Sequence, residues 1–314
     1  MIFQTTDTVL LIRPVQFRAN EETAVNNYFQ AASVNASSQN INNRAQQEFD
    51  ELVLLLRSHH INVLVMDDKK ELDTPDSIFP NNWLSTHEDG TFCIYPMFAK
   101  NRRRERRDDV VAQLAISGFV HTSTHDFSHL ESQKRFLEGT GSMVLDRVNR
   151  IAYSAISERT HLAALVEFSK KMNYQVVSFC ANQTVDDARL PIYHTNVMMC
   201  IGSTLVLVCL DSLDNKQERE ALHLSLKKSN REIILLSETQ VMQFAGNMLE
   251  LRNTEGKKYF VMSTLAFQSL EFKQVHAIEK HGSILHSSLE TIETCGGGSA
   301  RCMIAEIFLP KRAN

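Results

Sequence analysis

Three consecutive glycines lie between two cysteines near the end of the chain, in the segment Cys295-Gly-Gly-Gly-Ser-Ala-Arg-Cys302. Glycine has no Cβ, so a run of glycines can adopt positive φ values and lie close against a ligand. A cysteine that follows such a turn at the start of an apolar run is well placed for nucleophilic attack. A buried structural cysteine fits the same pattern, so this segment alone leaves both interpretations open.

Three segments further upstream contain the residue types that a cysteine nucleophile needs. They are Phe79-Pro-Asn81-Asn82-Trp, Glu138-Gly-Thr-Gly-Ser-Met and His194-Thr-Asn196. A histidine can help the thiol to ionise and can protonate a leaving group, and a carboxylate can orient that histidine. Taken singly, His194 also fits a buried core histidine and Glu138 a turn residue. Asn82 and Asn196 also fit turn asparagines that bond their own backbone.

Alternating strand-like and helix-like segments predict an α/β fold that positions these residues. Apolar or alternating runs predict strands at 8–14, 61–67, 174–180 and 231–237. Amphipathic patterns predict helices at 41–58, 158–172, 215–229 and 264–281. No linker divides the chain, so we expect one catalytic domain over residues 1–314. The asparagine-rich stretch 26–43 fits a surface connection better than a mobile lid.

The candidate residues occupy equivalent positions of a loose repeat. Each copy is a short polar residue followed by a strand, a turn and a second strand, with starts at 82, 142, 196, 247 and 302. This spacing is close to the periods of radial repeat architectures, in which equivalent strand starts converge on one central point. Hairpins at similar spacing also occur in other α/β chains, so the repeat supports a site only together with the motifs.

The composition predicts a globular protein without a membrane or nucleic-acid partner. The 314 residues are 43% apolar and 22% charged, with a net charge of −4. No apolar run reaches the roughly 18–20 residues of a membrane helix, and the first residues are typical of a strand rather than a signal peptide. Six scattered cysteines without a Cys-x-x-Cys pair favour free thiols, a cytoplasmic location and no metal site.

The basic segment 101–107 is the one feature that suggests nucleic-acid binding. Two aspartates follow it, no aromatic residues are interleaved, and a helical pattern begins there. We therefore expect a solvated first helical turn at this segment and no nucleic-acid site.

The order of the motifs resembles the guanidine-modifying, or pentein, superfamily. This superfamily includes arginine deiminases, dimethylarginine hydrolases, amidinotransferases and succinylarginine dihydrolase. The resemblance covers nearly the whole chain and is carried mainly by GGGSARCM, with FPNNW, EGTGSMVLD and HTN in support. It implies an α/β fold in which five ββαβ units form a five-bladed pseudosymmetric propeller. It also implies catalysis without a metal or an organic cofactor.

The resemblance implies a catalytic role for three residues. Cys302 corresponds to the nucleophile, His194 to the general acid/base and Glu138 to the glutamate of an E-G-G-D motif. The motif is incomplete, because Gly141 stands where its aspartate is expected. Cys295 is the rival nucleophile, but it precedes the glycines instead of following them.

The resemblance also implies a set of substrate-binding residues. Asn82 and Asn196 stand where arginine-using members have aspartates that bind the guanidinium, and we place Asn81 and Phe79 beside them. An arginine is expected to bind the carboxylate of an amino acid substrate. The candidates are Arg301, Arg147 and Arg18.

The two asparagines predict a neutral substrate. A guanidinium is a cation that offers only N–H donors, whereas a ureido group offers a C=O acceptor and N–H donors, as a carboxamide does. A mismatched buried polar group costs about 1–3 kcal/mol. We therefore expect hydrolysis of a ureido amino acid, most simply citrulline, to ornithine, carbon dioxide and ammonia through an S-carbamoyl enzyme. The sequence also resembles the citrulline-hydrolysing branch of the superfamily.

Two other functions remain open at this stage. One is a deiminase or amidinotransferase that acts on arginine or another guanidino compound. The other is a non-enzymatic binding protein, since the same fold also occurs without a catalytic cysteine. In the preferred interpretation the partner is a small amino acid, and homo-oligomer formation stays open.

Overall fold

The computed structural model describes residues 3–30 and 37–312. In these residues the strands are Thr8–Arg13 (β1), Asn62–Asp67 (β2), Leu84–Thr86 (β3), Thr91–Ile94 (β4), Ser123–Asp126 (β5), Val144–Asp146 (β6), Ile151–Ala155 (β7), Gln175–Phe179 (β8), Asn182–Val185 (β9), Ala188–Pro191 (β10), Met199–Ile201 (β11), Leu205–Val208 (β12), Glu232–Leu235 (β13), Leu249–Arg252 (β14), Lys258–Ser263 (β15), Ser283–Ser287 (β16) and Ala305–Glu306 (β17). The α-helices are Glu21–Ala24 (α1), Ser38–Ser58 (α2), Asp109–Ile116 (α3), Gly139–Ser142 (α4), Leu162–Met172 (α5), Lys216–Lys227 (α6), Glu238–Met242 (α7), Thr264–Ser269 (α8), Phe272–Glu279 (α9), Glu290–Gly296 (α10) and Ala300–Met303 (α11).

Five three-stranded sheets within residues 3–30 and 37–312 share one connectivity. In each, two strands pair antiparallel, and the second of them leads through a helical segment into a third strand that pairs parallel with it. Four sheets are continuous in sequence: β3-β4-β5, β6-β7-β8, β11-β12-β13 and β14-β15-β16. The fifth joins β17 from near the end of the chain to β1 and β2 from its start. The α/β fold and its ββαβ units are therefore confirmed, whereas closure into a five-bladed ring stays a prediction.

The predicted elements agree with the structure except at one helix. Strands lie at all four predicted positions, and helices lie at three of the four. The pattern at 264–281 forms two helices, α8 and α9, instead of one. The chain is extended at Leu270, and Glu271 then starts a new helix through a capping box with Gln274. A capping box satisfies backbone N–H groups that a continuing helix would bond internally, so it favours a new start.

Helix α2 packs into the same apolar cluster as Cys302. Its apolar face buries Ala45, Phe49 and Leu52 completely, which follows from their spacing along one side of the helix. These side chains belong to the same apolar cluster as Phe79 and Cys302. The long helix and the cysteine are therefore parts of one packed core.

The basic segment differs from the expectation of a solvated turn. Residues Asn101–Glu105 form a 3₁₀ helix, and Arg102 is only 2% exposed. Its Nε donates to Oε1 of Glu105 at 2.8 Å, and its Nη2 donates to the other oxygen at 2.9 Å. A buried arginine requires such a bidentate partner, and Glu105 lies three residues further along the same segment. The expectation of a solvated face is therefore wrong for Arg102.

Other sequence-based expectations concern membranes, thiols and metals. None of the helices in the described ranges has the length and apolar character needed to cross a membrane. All six cysteines are free thiols. In the same residues, no three His, Cys, Asp or Glu side chains are grouped so that they could hold a metal ion. Of the asparagine-rich stretch 26–43, residues 31–36 lie outside the described residues and residues 38–43 begin α2.

Candidate active site

A small cavity lies beside Cys302. Its volume is about 10 Å³, which is room for about one water molecule. The lining residues are Asn27, Asp76, Phe79, Asn82, Arg102, Arg159, Tyr193, His194, Gly296, Gly297, Gly298 and Cys302. An outer pocket of about 460 Å³ shares Asn27, Arg159 and Tyr193 with it. The fold therefore brings together four of the side chains that the sequence predicted for the site: Cys302, His194, Asn82 and Phe79.

Glu138 and His194 form a buried pair next to the cavity. Nε2 of His194 lies 2.8 Å from Oε2 of Glu138, and the two side chains are 2% and 0% exposed. The other carboxylate oxygen accepts a hydrogen bond from the backbone N–H of Phe98 at 3.0 Å. An ionised carboxylate can only accept, so Nε2 carries a hydrogen and Nδ1 is the nitrogen that can exchange a proton.

The charges around this pair set its protonation state. Burial raises the pKa of Glu138, but Arg159, His194 and Arg102 together outweigh it and hold that pKa at about 2. Burial lowers the pKa of His194 to about 4, because it outweighs the opposing hydrogen bond to Glu138. At neutral pH the resting site therefore holds a carboxylate and a neutral imidazole, which is the form that can accept a proton.

Gly141 allows the histidine to sit against Asn82. A Cβ at this position would lie 2.5 Å from Nδ2 of Asn82 and 2.7 Å from Nδ1 of His194, which is closer than non-bonded atoms approach. The incomplete E-G-G-D motif thus has a steric reason, since the space for an aspartate at this point is already occupied. Glu138, three residues earlier, still pairs with the histidine.

Gly297 gives the glycine turn its shape. Its φ of 63° lies in the left-handed region that favours glycine, and it ends α10. Its carbonyl accepts hydrogen bonds from the hydroxyl of Tyr193 and from Nδ2 of Asn27, the latter at 3.3 Å. These bonds fix the turn against the cavity, and the predicted positive φ is confirmed at this one of the three glycines.

Cys302 lies in the short helix α11 and is surrounded by carboxamides. Its Sγ is 3.2 Å from Nδ2 of Asn247 and 3.6 Å from Nδ2 of Asn196. The side chain is 3% exposed, so water competes little for the sulfur. Both asparagines start strand pairs in the predicted repeat, and the fold brings these two repeat positions to the cysteine.

Asp76 contributes an unsatisfied acceptor to the cavity wall. Its Oδ2 accepts hydrogen bonds from Nδ2 of Asn20 at 2.7 Å and from Oγ1 of Thr23 at 3.2 Å. Its Oδ1 is buried and has no hydrogen-bond partner among the described residues. A buried carboxylate oxygen without a partner is costly, so this atom is placed to accept from a bound molecule.

Two arginines add positive charge to the same wall. Nη1 of Arg102 donates to Oδ1 of Asn82 at 2.8 Å, which turns Nδ2 of that amide away from the arginine. Nε of Arg159 donates to Oδ1 of Asn26 at 2.9 Å, and its Nη1 lies 3.7 Å from Oε2 of Glu138. The cavity wall therefore carries two guanidinium groups and one carboxylate beside a neutral histidine, and two further carboxylates, Glu105 and Glu138, balance the guanidinium groups.

Two of the predicted substrate-binding asparagines do not line the cavity. Asn196 contacts Cys302 but belongs to the wall of a second cavity, of about 20 Å³. Asn81 is fully buried, and its Oδ1 accepts from Nδ2 of Asn82 at 2.9 Å. Their assignment to the substrate stays a prediction.

None of the three arginines proposed from the sequence lines the cavity beside Cys302. Arg301 donates from Nη2 to Oε2 of Glu306 at 3.0 Å and lines the second cavity, as Arg147 does. Arg18 pairs with Asp73 at 2.8 Å. The structure places Arg102 and Arg159 at this cavity instead.

Sequence reasoning missed six residues that line the cavity or contact Cys302: Asn27, Asp76, Arg102, Arg159, Tyr193 and Asn247. Asp76, Arg102 and Arg159 carry no motif in this sequence, and their burial depends on partners that are distant along the chain. Asn247 had a usable signal, because it starts the fourth repeat as Asn196 starts the third. Equivalence within the repeat was therefore a better guide to the surroundings of the cysteine than the charged residue types.

The comparisons with known proteins agree with this architecture. The sequence matches the family described as N,N dimethylarginine dimethylhydrolase, eukaryotic, over residues 13–309. No curated protein matches it significantly. The similar solved structures are all less than 25% identical to this chain, so they support the fold alone.

Three solved structures illustrate the similarity. The first is a variant of the N-terminal domain of ArgZ, covalently bound to a reaction intermediate; ArgZ is an arginine dihydrolase from cyanobacteria. Its TM-score is 0.72 at 17% identity, and the match covers 96% of this chain and 99% of that domain. Unliganded AgrE has a TM-score of 0.72 at 17% identity over 100% of this chain, which spans 40% of AgrE. A variant of the Pseudomonas aeruginosa enzyme DDAH in complex with citrulline has a TM-score of 0.62 at 10% identity and covers 96% of this chain and 99% of that one.

The fold is thus the mixed α/β fold of pentein structures, and the family match spans nearly the whole sequence. The chain belongs to the N,N dimethylarginine dimethylhydrolase family of guanidino-modifying enzymes, which act on C–N bonds.

Proposed function

We propose that the protein is a cysteine-dependent hydrolase of a ureido α-amino acid, most simply citrulline, which it converts to ornithine, carbon dioxide and ammonia. The observation that carries this proposal is the neutral polar surroundings of Cys302. Its Sγ lies 3.2 Å from Nδ2 of Asn247 and 3.6 Å from Nδ2 of Asn196, and Asn82 and a neutral histidine line the cavity beside it. A ureido group, which has no charge, suits these groups better than a guanidinium, whose charge requires a carboxylate at the reacting end.

The charged residues of the wall support recognition of the α-amino acid end. Nη1 of Arg159 makes no hydrogen bond among the described residues and can donate to a carboxylate, whereas the guanidinium of Arg102 is held by Glu105 and Asn82. The unpartnered Oδ1 of Asp76 suits an ammonium group. In this arrangement Asp76 and Arg159 hold the zwitterionic end, and the ureido group extends towards Cys302.

The reacting end of the cavity offers carboxamides rather than carboxylates. Oδ1 of Asn82 is occupied by Arg102 and one hydrogen of its Nδ2 by Oδ1 of Asn81, so the second hydrogen of Nδ2 is left to face a substrate oxygen. Glu138 is already shared by His194 and the backbone N–H of Phe98. A guanidinium bound here would lack the carboxylate that its charge requires, whereas a ureido carbonyl would find a donor.

The mechanism follows from the neutral state of His194. His194 takes the proton of the Cys302 thiol, and the thiolate attacks the ureido carbon to form a tetrahedral adduct. The C–N bond to the ornithine nitrogen then breaks, and His194 returns the proton to that nitrogen. His194 next takes a proton from water, whose hydroxide displaces the thiolate from the S-carbamoyl enzyme. The carbamate that is released decomposes to ammonia and carbon dioxide.

Hydrolysis of a guanidino compound is the second candidate. The family description names dimethylarginine as the substrate, and the ArgZ structure is described as an arginine dihydrolase. In this alternative, Asp76 or Glu138 would balance the charge of the guanidinium. A deiminase or amidinotransferase reaction would use the same cysteine and histidine.

The proposal extends to the architecture and the setting. We propose that the five sheets close into a five-bladed propeller and that residues 1–314 act as one catalytic unit. The free cysteines support a reducing, cytoplasmic setting. The wall shared with the outer pocket, at Asn27, Arg159 and Tyr193, supports substrate entry at that point.

The test is the release of ornithine and ammonia from citrulline and from arginine, supplied separately, with Cys302→Ala as the blank. Ornithine from citrulline alone is the expected result. Citrulline or a transferred amidino group from arginine would favour the second candidate. Inactivity with both substrates and with dimethylarginine would overturn the assignment to this reaction class.

The asparagine at position 82 provides a matched test of substrate charge. Asn82→Asp keeps the acceptor for Arg102 and exchanges the amide donor for a negative charge. We expect this variant to lose citrulline hydrolysis and to gain activity with arginine. An unchanged preference between citrulline and arginine would mean that the residue at position 82 does not discriminate between a neutral and a charged substrate.

A further inference from the structure

The side-chain amide of Asn247 is locked in one orientation by two backbone groups. Its Oδ1 accepts from the backbone N–H of Arg301 at 3.1 Å, and its Nδ2 donates to the backbone carbonyl of Asn196 at 3.0 Å. A backbone N–H only donates and a carbonyl only accepts, so the two amide atoms cannot be exchanged. The second hydrogen of Nδ2 is available to Sγ of Cys302, 3.2 Å away.

We propose that Asn247 is the thiolate-binding residue of this site, which holds the charged form of Cys302 for attack on the substrate. The inference rests on the proposed role of Cys302 as the nucleophile. A hydrogen bond to an ionised acceptor is roughly twice as strong as one to a neutral acceptor, so this contact favours the thiolate over the thiol. Asn247 is 0% exposed, and its donor is therefore not shared with water.

The location of Asn247 separates this role from substrate recognition. It contacts the sulfur but does not line the cavity beside Cys302. Asn196 lies further from the sulfur, at 3.6 Å, and its backbone carbonyl holds Asn247 in place. The amide therefore acts on the nucleophile itself.

Several titratable or charged groups also face Cys302, and none of their side chains is hydrogen-bonded to Asn247. Across the cavity they are Asp76, Arg102, Arg159, Tyr193 and His194, and Arg301 precedes the cysteine in α11. The backbone N–H of Arg301 is hydrogen-bonded to Asn247, and Asn247→Asp keeps an acceptor for it. A change in thiolate formation on substitution of Asn247 is therefore assigned to the lost amide donor.

The test measures the Cys302 thiolate directly, without turnover. The absorbance of thiolate near 240 nm is followed against pH for the full chain, and the same titration of Cys302→Ala is subtracted. Asn247→Ala removes the donor, and Asn247→Asp keeps an acceptor for Arg301 while replacing the donor by a carboxyl group. We expect the midpoint of thiolate formation to rise by about one pH unit or more in both variants, since one unit corresponds to the loss of about 1.4 kcal/mol of preference for the thiolate.

The matched control is Asn253→Asp, which introduces the same change at the opposite end of β14. Oδ1 of Asn253 accepts from the backbone N–H groups of Glu255 and Lys257, and an aspartate keeps both bonds. Its midpoint should equal that of the unchanged protein. An equal midpoint in the two Asn247 variants as well would overturn the inference.

Turnover measured in parallel separates this inference from the proposed function. Raised midpoints in a protein that hydrolyses neither citrulline nor arginine would support Asn247 and refute the proposed function. Turnover of citrulline together with unshifted midpoints would support the proposed function and refute the role of Asn247. Asn247→Asp is nearly isosteric, so it keeps the test decisive where Asn247→Ala fails to fold.

Discussion

The two cysteines that flank the glycine turn lie in opposite electrostatic surroundings. Cys302 faces a cavity with a neutral histidine and has two carboxamide donors beside its sulfur. Cys295 lies in α10 and lines a different pocket, of about 370 Å³, together with Glu48. Burial raises the pKa of Cys295, and the negative charge of Glu48 raises it further.

This difference shows that closeness to the glycines does not by itself make a cysteine reactive. A thiolate forms where donors or positive charge stabilise it and is suppressed where burial and carboxylates surround it. Both cysteines are buried, at 2% and 3% exposure, so burial alone does not distinguish them. The polar groups that the fold brings to each sulfur make the difference.

The largest expected effect is on the cysteines themselves. Cys302→Ala should reduce turnover at least about 10⁴-fold, because no other group supplies the nucleophile. Cys295→Ala should leave turnover within about twofold, because that side chain shares no cavity with His194. Ornithine release under saturating citrulline measures both. Comparable losses of turnover in the two variants would mean that Cys295 is as necessary for the reaction as Cys302.

Removing the carboxylate behind His194 should have the next largest effect. In Glu138→Gln a carboxamide replaces the ion that fixes the imidazole, and it can donate to Nε2 and so favour the wrong tautomer. We expect kcat to fall about 10²- to 10⁴-fold, the usual contribution of general acid/base catalysis. Steady-state kinetics across pH measures the change.

Glu131→Gln is the matched control for that variant. Glu131 also accepts a backbone N–H, from Met97 at 2.9 Å, and pairs with Arg103 at 3.3 Å, but it does not contact a histidine. Its replacement should leave kcat within a fewfold of the unchanged value. Equal losses in both variants would mean that Glu138 acts through stability and not through His194.

The structure shows which parts of the site could be read from the sequence. Cys302, His194 and Asn82 meet at one cavity as predicted, because each stands at or next to the start of a repeated strand pair. Arg102 could not be predicted, because a run of arginines has the same appearance whether it is solvated or buried. Its burial depends on Asn82 and Glu105 meeting it in the fold, and the sequence alone does not reveal those contacts.

Substitution of Gly141 tests how tightly the Cys302 site is packed. In Gly141→Ala the new methyl group would overlap Nδ1 of His194 and Nδ2 of Asn82, so the imidazole must move by a substantial fraction of an ångström. We expect kcat/KM to fall about 100-fold, the scale of a small misplacement of catalytic groups. Gly256→Ala is a control for backbone strain without a clash at the site, since that glycine has a φ of 84° and open space around it, and we expect it to leave kcat/KM unchanged.

Substitution of Arg159, the proposed partner of the substrate carboxylate, should have a smaller effect that falls mainly on KM, with a lesser fall in kcat because Arg159 also lowers the pKa of Glu138. Arg159→Met removes a charge from the wall near Cys302, and we expect KM for citrulline to rise about 10- to 100-fold, as for a lost hydrogen bond between charged groups. Arg18→Met changes a sequence candidate that pairs with Asp73 away from the cavity. A rise in KM with Arg18→Met but not with Arg159→Met would mean that Arg18 binds the substrate carboxylate.

The smallest effect is a pH dependence of stability that belongs to the Cys302 site and not to the Cys295 site. The pKa of His194 is about 4 in the folded protein and near 6.5 in an unfolded chain, so the unfolded state binds the proton first as the pH falls. The stability from a neutral His194 is fully present above pH 6.5 and is lost progressively towards pH 4. Between pH 7 and pH 5 this loss amounts to about 2 kcal/mol.

Urea unfolding at these two pH values should show a smaller loss of stability for His194→Gln than for the unchanged protein or for Cys295→Ala, because glutamine does not titrate. Equal losses in all three would mean that folding leaves the pKa of His194 at its ordinary value. A smaller loss in the unchanged protein than in His194→Gln would mean that the histidine beside Cys302 is already protonated in the resting protein.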